Sequence, residues 1–282
     1  MQPPARVFLE IDISTSLSMS FSEQVVWITG ASSGIGKALA IELAAQGARI
    51  VLSARNEARL HETRALCAKP DQHFVLPLDV TDEKAVFSAP SFILDEMGRL
   101  DVVVLNAGIG QRVSVAETSA EIHRRLMEVN FFGQTMPARA VLPHFQAQNS
   151  GQFVVITSIM GKLSTPRRAT YAASKHALHG WFEGLRAELY TADIDITLLC
   201  AGYIKTEISF HSVLGDGTPH GAMDDAHRDA MSSDVFARKA AKAIKKRRAV
   251  AYIGGMERFA PWLERISPAL VRFLLPRIIT RD

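Results

Sequence analysis

The sequence predicts one doubly wound α/β domain, a parallel sheet of about seven strands with helices on both faces. Three observations carry that prediction. Seven short runs rich in Val, Ile and Leu recur along the chain, most of them continuously apolar, as strands covered on both faces are. Stretches with helical patterning fill the gaps between them. A glycine-rich turn joins the first apolar run to the first helical stretch.

The strands are expected at 24–29, 49–53, 73–78, 101–105, 152–157, 195–200 and 249–253. The helices are expected at 35–46, 57–67, 83–97, 120–148, 171–191 and 234–246. Residues 1–22, with Pro3, Pro4 and a Ser/Thr-rich stretch, read as a loose arm, and Met19 is a candidate start because the fold signal begins at Gln24. The domain then runs over 23–255. Within it 203–232 is long, polar and glycine-bearing, which in a compact domain marks a lid or an unstructured loop. The tail, 256–282, interleaves Trp262, Leu263, Ile266, Leu270 and Phe273 with Arg258, Arg265, Arg272, Arg277 and Arg281. It is expected to pack on its own domain or on an oligomer partner, with Pro276 breaking any helix. Contact with a membrane surface is the weaker alternative.

With 282 residues, 48% of them hydrophobic, the chain can bury one large core. A net charge of +3 is too small and too dispersed to argue for nucleic acid. The basic cluster Lys242, Lys245, Lys246, Arg247 and Arg248 reads as a solvated helix end. Two cysteines, Cys67 and Cys200, with nothing in their placement to suggest a bridge, fit a reducing, cytoplasmic setting. No uninterrupted apolar run is long enough to span a bilayer, and no secretory signal is expected.

The first strand leads into Thr29-Gly30-Ala31-Ser32-Ser33-Gly34-Ile35-Gly36 and then a helix. A strand, a glycine turn and a helix start bring unpaired N–H groups and the positive helix end to one point, where a pyrophosphate fits. Gly30 permits the tight turn, and Gly34 and Gly36 permit close approach of phosphate, helix and strand. A Rossmann-type dinucleotide site follows. The second strand chooses between dinucleotides. An Asp or Glu at its end would hold a ribose 2′-hydroxyl. Here it reads Ser53-Ala54-Arg55-Asn56, with no carboxylate and a guanidinium suited to a 2′-phosphate. The expected cofactor is NADP(H); Lys37 reads as an ordinary solvated lysine.

With these features in place the sequence resembles the short-chain dehydrogenase/reductase family. The motifs run in order over most of the chain. Thr29 to Gly36 matches the cofactor turn, and Asp79, followed by Val80, matches the acidic residue at the adenine ring. Asn106-Ala107-Gly108 matches the Asn-Ala-Gly motif beside the cofactor, and Asn130 matches the helix asparagine of the catalytic set. Ser158 ends the fifth strand, and Tyr171 with Lys175 forms Tyr-x-x-x-Lys. Ala201-Gly202, followed by Ile204 and Thr206, matches a Pro-Gly-x-x-x-Thr stretch in which alanine replaces the usual proline. The resemblance implies cofactor contacts from Gly30, Ser32, Ser33, Gly34, Ile35, Gly36, Arg55, Asp79, Val80, Asn106, Ala107, Gly108, Tyr171, Lys175, Ile204 and Thr206. For Asn106, scaffolding and direct cofactor contact stay equally open. No metal is implied, and a homodimer or homotetramer is expected through 120–148 and 171–191.

Hydride transfer to a carbonyl carbon builds negative charge on its oxygen, so a proton donor must stand there. A tyrosine has a pKa near ~10, and lowering it by about three units takes roughly 4 kcal/mol. One ammonium about 4 Å away supplies that at an effective dielectric near ~20. Tyr171 and Lys175 are four apart on an expected helix, hence on one face. The resemblance adds a hydrogen bond from Ser158 to the substrate oxygen, ribose binding by Lys175, and a water held by Asn130. His176 points away from this face and is not assigned a role.

Tyr203, Ile204, Ile208, Phe210, Val213 and Leu214 are expected to line the lid, with Met160 and Leu163 opposite. Such a pocket suits a small lipophilic carbonyl or alcohol. The competing reading is an NADP(H)-binding sensor or scaffold with little turnover, which would have no need for an acid–base tyrosine.

Overall fold

The computed structural model describes residues 21–208, 210, 212–218, 220–221 and 230–279, the last five by backbone alone. The arm 1–20, the interior of the expected lid at 222–229 and residues 280–282 lie outside the described residues.

The chain runs β1 (Val25–Thr29), α1 (Gly34–Ala45), β2 (Arg49–Ser53), α2 (Glu57–Leu66), β3 (Phe74–Val75), α3 (Glu83–Met97) and β4 (Val102–Leu105). It continues through α4 (Ala120–Met127), α5 (Gly133–Gln148), β5 (Gly151–Ser158), α6 (Ala169–Glu188) and β6 (Ile194–Ala201). The short strands β7 (Ile204–Lys205) and β8 (Met231–Ser232) precede α7 (Ser233–Lys245), β9 (Val250–Ile253), α8 (Ala260–Ile266) and α9 (Pro268–Ile279). Seven strands form one sheet in the order β3-β2-β1-β4-β5-β6-β9, and every pairing is parallel. The order reverses between β1 and β4. In an open parallel sheet that reversal leaves a crevice at the carboxyl ends of the strands.

The strands bury alternate residues on opposite faces. Val26 and Ile28 of β1 join Leu39, Leu43, Phe236 and Ile244 of α1 and α7 in one core. Val25 and Trp27 join Ile93, Phe145, Phe182 and Leu185 of α3, α5 and α6 in the other. The Trp27 indole N–H, buried with its ring, donates to Ser53 Oγ at 2.9 Å. This satisfies the one polar atom that a buried tryptophan carries.

Four departures from the sequence reading have physical causes. Phe21, assigned to the loose arm, is 2% exposed and packs in the first core, so the domain includes it. The third strand shrinks to two residues, although Leu76 and Leu78 still donate to Leu52 and Ala54. The single helix expected over 120–148 is interrupted by a π-turn at Glu128–Phe132. Apolar spacing does not distinguish one extra residue per turn, and such bulges recur at functional sites. Finally, α9 keeps its helical backbone past Pro276. The preceding turn is exposed at Arg272 and Phe273, where water can take up the carbonyl that a proline leaves without a donor.

Candidate active site

One cleft of about 1910 Å³ opens at the carboxyl ends of the strands. It gathers residues from at least seven segments, spread in sequence from Gly30 to Ala260, as the crevice geometry requires. Gly30, Ser32, Ser33, Gly34 and Ile35 line it from the β1–α1 turn, and Arg55, Asp79 and Val80 from the ends of the next two strand segments. Asn106, Ala107 and Gly108 follow β4, Ser158 ends β5, Tyr171 and Lys175 come from α6, and Ile204 and Thr206 follow β6.

The β1–α1 turn fits a pyrophosphate. Gly30 and Gly34 have φ of 68° and 53°, the left-handed region where side chains are strained. Asn56, Asp82, Ser119 and Ser232 cap α2, α3, α4 and α7 with their side chains, but Ser33 gives α1 no such cap. No acidic side chain occupies the first turn of α1, so its amide ends and positive pole face the cleft.

Two expected site residues lie outside the cleft lining. Gly36 sits where α1 crosses the turn: a Cβ there would come 2.2 Å from Gly30 O and 2.5 Å from Asn106 Nδ2. Its smallness therefore lets α1 pack on the turn. Asn130 is fully buried in the π-turn. Its Oδ1 accepts from Ile109 N at 2.7 Å, and its Nδ2 donates to Ile109 O at 3.0 Å and to Ser174 Oγ at 3.3 Å. The bulge turns this side chain from the helix into the loop after β4. Asn106 donates to Thr29 O at 2.9 Å and Gly30 O at 3.0 Å, holding the glycine turn together. Its amide hydrogens serve the scaffold while the residue still borders the cleft.

Ser158, Tyr171 and Lys175 converge. Ser158 Oγ accepts from Met160 N at 3.1 Å and donates to Ala201 O at 3.3 Å. Lys175 Nζ donates to Ile156 O at 3.0 Å and stands 5.8 Å from the centre of the Tyr171 ring. Burial lowers the Lys175 ammonium to about 8. Burial also pushes the Tyr171 phenol above its usual value, while the Arg168 charge and hydrogen bonding by Ser158 pull it back. Helical spacing alone would give that lowering to Lys175. In the structure the opposing charge that acts on the phenol is Arg168, and desolvation outweighs it. His176 bonds Ala172 O at 2.8 Å, along its own helix.

Of the expected substrate wall, Tyr203, Ile204, Ile208, Val213, Met160 and Leu163 line the cleft, whereas Leu214 borders a separate surface depression and Phe210 is exposed. Within the segment expected to form a lid, β7 pairs with β8 and Val213 bridges to Gln111. Sequence reasoning missed Arg168 and Glu257. Arg168, 9% exposed, precedes α6 by one residue and borders the cleft. Its three-residue offset from Tyr171 was the available signal. Glu257 accepts from Tyr203 N and Gly255 N, both at 2.9 Å, and so ties the start of the tail to the start of the lid. No local pattern announces that contact.

Comparison with known proteins agrees with this geometry. The model of the short chain dehydrogenase family matches residues 24–213, more than half of the chain. The chain is 38% identical over 255 residues to dehydrogenase/reductase SDR family member 7B of Xenopus laevis, covering 87% of this chain and 79% of that one. An alcohol dehydrogenase from the archaeon Thermococcus sibiricus, complexed with 5-hydroxy-NADP, superposes with a TM-score of 0.71. It is 26% identical, over 83% of this chain and 97% of that chain. A short-chain dehydrogenase/reductase from Burkholderia phymatum, in complex with NAD, superposes with a TM-score of 0.77. It is 25% identical, over 92% of this chain and 97% of that chain. This chain belongs to the short-chain dehydrogenase/reductase family of oxidoreductases, whose fold binds a nicotinamide cofactor.

Proposed function

We propose that this protein is an NADP(H)-dependent oxidoreductase acting on a carbonyl or secondary alcohol carbon of a small lipophilic substrate. The observation that carries the reading is the convergence of Ser158, Tyr171 and Lys175 on one wall of the dinucleotide cleft. Arg55 at the end of β2 supports the 2′-phosphate form, since it borders the cleft and no carboxylate stands at Ser53 to Asn56. Met160, Leu163, Ile204, Ile208 and Val213 support an apolar substrate.

When bound, the nicotinamide supplies or accepts the hydride. Tyr171 gives its proton to the substrate oxygen in reduction and, as phenolate, takes it back in oxidation. Ser158 donates to the same oxygen as charge develops. Lys175, held by Ile156 O and 5.8 Å from the centre of the phenol ring, would bind the ribose hydroxyls of the cofactor. Asn130 holds the loop at Ile109 and so positions the floor of the cleft.

Association into a dimer or tetramer through α4–α5 and α6 belongs to the same proposal. So does a reducing, cytoplasmic setting, supported by the buried unpaired thiols of Cys67 and Cys200, both raised to about 11 by burial. The direct test is oxidation of NADPH and of NADH against a panel of aliphatic, aromatic and polycyclic carbonyls. Turnover of lipophilic members with NADPH preferred is expected. Tight NADPH binding without turnover on the whole panel would instead favour a sensor.

A further inference from the structure

Beyond the cleft, the C-terminal segment carries a second surface. The chain leaves β9 through a 3-10 turn at Met256–Phe259 and enters α8 and α9. These short helices hold to the body through Pro261 and Val271, which are buried. Phe259, Trp262, Leu263, Ile266, Leu270 and Phe273 are exposed, Trp262 by 62% and Ile266 by 78%. A single exposed apolar residue is ordinary, but six within fifteen residues form a patch of the kind that marks an interaction face.

The charge of the patch limits what can cover it. Arg258, Arg265 and Arg272 recur every seven residues, and Glu264 is the only acidic residue between 258 and 274. Arg258 lies over the Phe259 ring at 4.8 Å. Two-fold pairing with a second copy would set this arginine-bearing face against itself, which costs electrostatic energy. An anionic lipid surface offers an apolar boundary for the tryptophan and isoleucine together with phosphates for the arginines. No helix among the described residues is long and apolar enough to cross a membrane, and α8 spans only about 10 Å, so the contact is with the surface.

We infer that α8 and α9 dock this protein on an anionic membrane surface. Trp262 and Ile266 enter the acyl boundary while Arg265 and Arg272 meet headgroup phosphates. Met256 and Ala260, from the same segment, line the cleft, so docking sets the cleft mouth close to the lipid. The inference stands on the patch and needs no assumption about the substrate.

The test is sedimentation of the full chain with vesicles of phosphatidylcholine and phosphatidylserine at roughly seven to three, and with phosphatidylcholine alone. Binding to the anionic vesicles, weakened by salt and at least about tenfold lower on the neutral ones, is expected. Trp262→Ser with Ile266→Ser should lower the partition at least about tenfold at unchanged thermal unfolding. Arg265→Gln with Arg272→Gln should lower it about tenfold on the anionic vesicles only. Absence of sedimentation on either vesicle, or binding indifferent to both double variants, would overturn the inference. So would a lipid-free dimer that Trp262→Ser with Ile266→Ser dissociates, because the patch would then be a protein interface.

Discussion

Lys175 Nζ lies 5.8 Å from the centre of the Tyr171 ring, and its hydrogen bond to Ile156 O, at 3.0 Å, anchors it to the fifth strand. The two side chains share one face of α6, so the helix fixes their separation and the sheet fixes their depth in the cleft. With its pKa lowered to about 8, Lys175 still carries most of its charge near neutral pH. Arg168, one turn before Tyr171, acts on the same phenol and pulls its pKa down.

Arg168→Met should therefore raise the phenol pKa further. In alcohol oxidation, where Tyr171 must be the phenolate, the alkaline rise in kcat should move to higher pH, and Arg168→Lys should restore much of it. A pH–rate profile unchanged in Arg168→Met would show that the charge has no influence on the phenol.

Arg55→Ala should weaken NADPH about tenfold to a hundredfold, the value of a charge-assisted hydrogen-bond pair, and leave NADH nearly unchanged. Titration of each cofactor against protein fluorescence measures both; equal losses would rule out recognition of the 2′-phosphate.

Gly36→Ala places a methyl group 2.2 Å from Gly30 O, against backbone on a tight turn. The helix must shift, and stability should fall by about 1–3 kcal/mol, with cofactor affinity falling alongside. Denaturant unfolding would detect it. A stability equal to wild type would mean that the turn relaxes freely.

His179 is 5% exposed, and burial, the largest cause, lowers its pKa to about 4 from 6.5. Between those values the unfolded chain binds the proton and the folded chain does not. Stability is thus fully present above pH 6.5 and is lost as pH falls towards 4, by up to about 3 kcal/mol. His179→Gln should flatten the slope of unfolding free energy against pH in that window.

The strands and the glycine turn were legible because each is written locally, in apolar runs and in Gly30, Gly34 and Gly36. The meeting of Ser158, Tyr171 and Lys175 on one cleft wall was legible because Tyr171 and Lys175 carry a helical spacing and Ser158 ends a strand. Contacts made only by tertiary folding were not. The Glu257 carboxylate reaches Tyr203 N across 54 positions, and the buried Phe21 looks in sequence like part of a Ser-rich arm. The π-turn at Asn130 escaped because its extra residue leaves no compositional mark, yet it turns the asparagine toward Ile109. Gly36 was expected to let phosphate, helix and strand approach closely, and the approach of α1 to Gly30 O is the part that the structure displays.

The phenol of Tyr171 as acid–base group is tested most directly by Tyr171→Phe, measured as single-turnover NADPH oxidation together with NADPH affinity. Turnover should fall by about a hundredfold to ten-thousandfold, while the dissociation constant for NADPH changes by less than about threefold. Turnover equal to wild type would contradict the proposed chemistry.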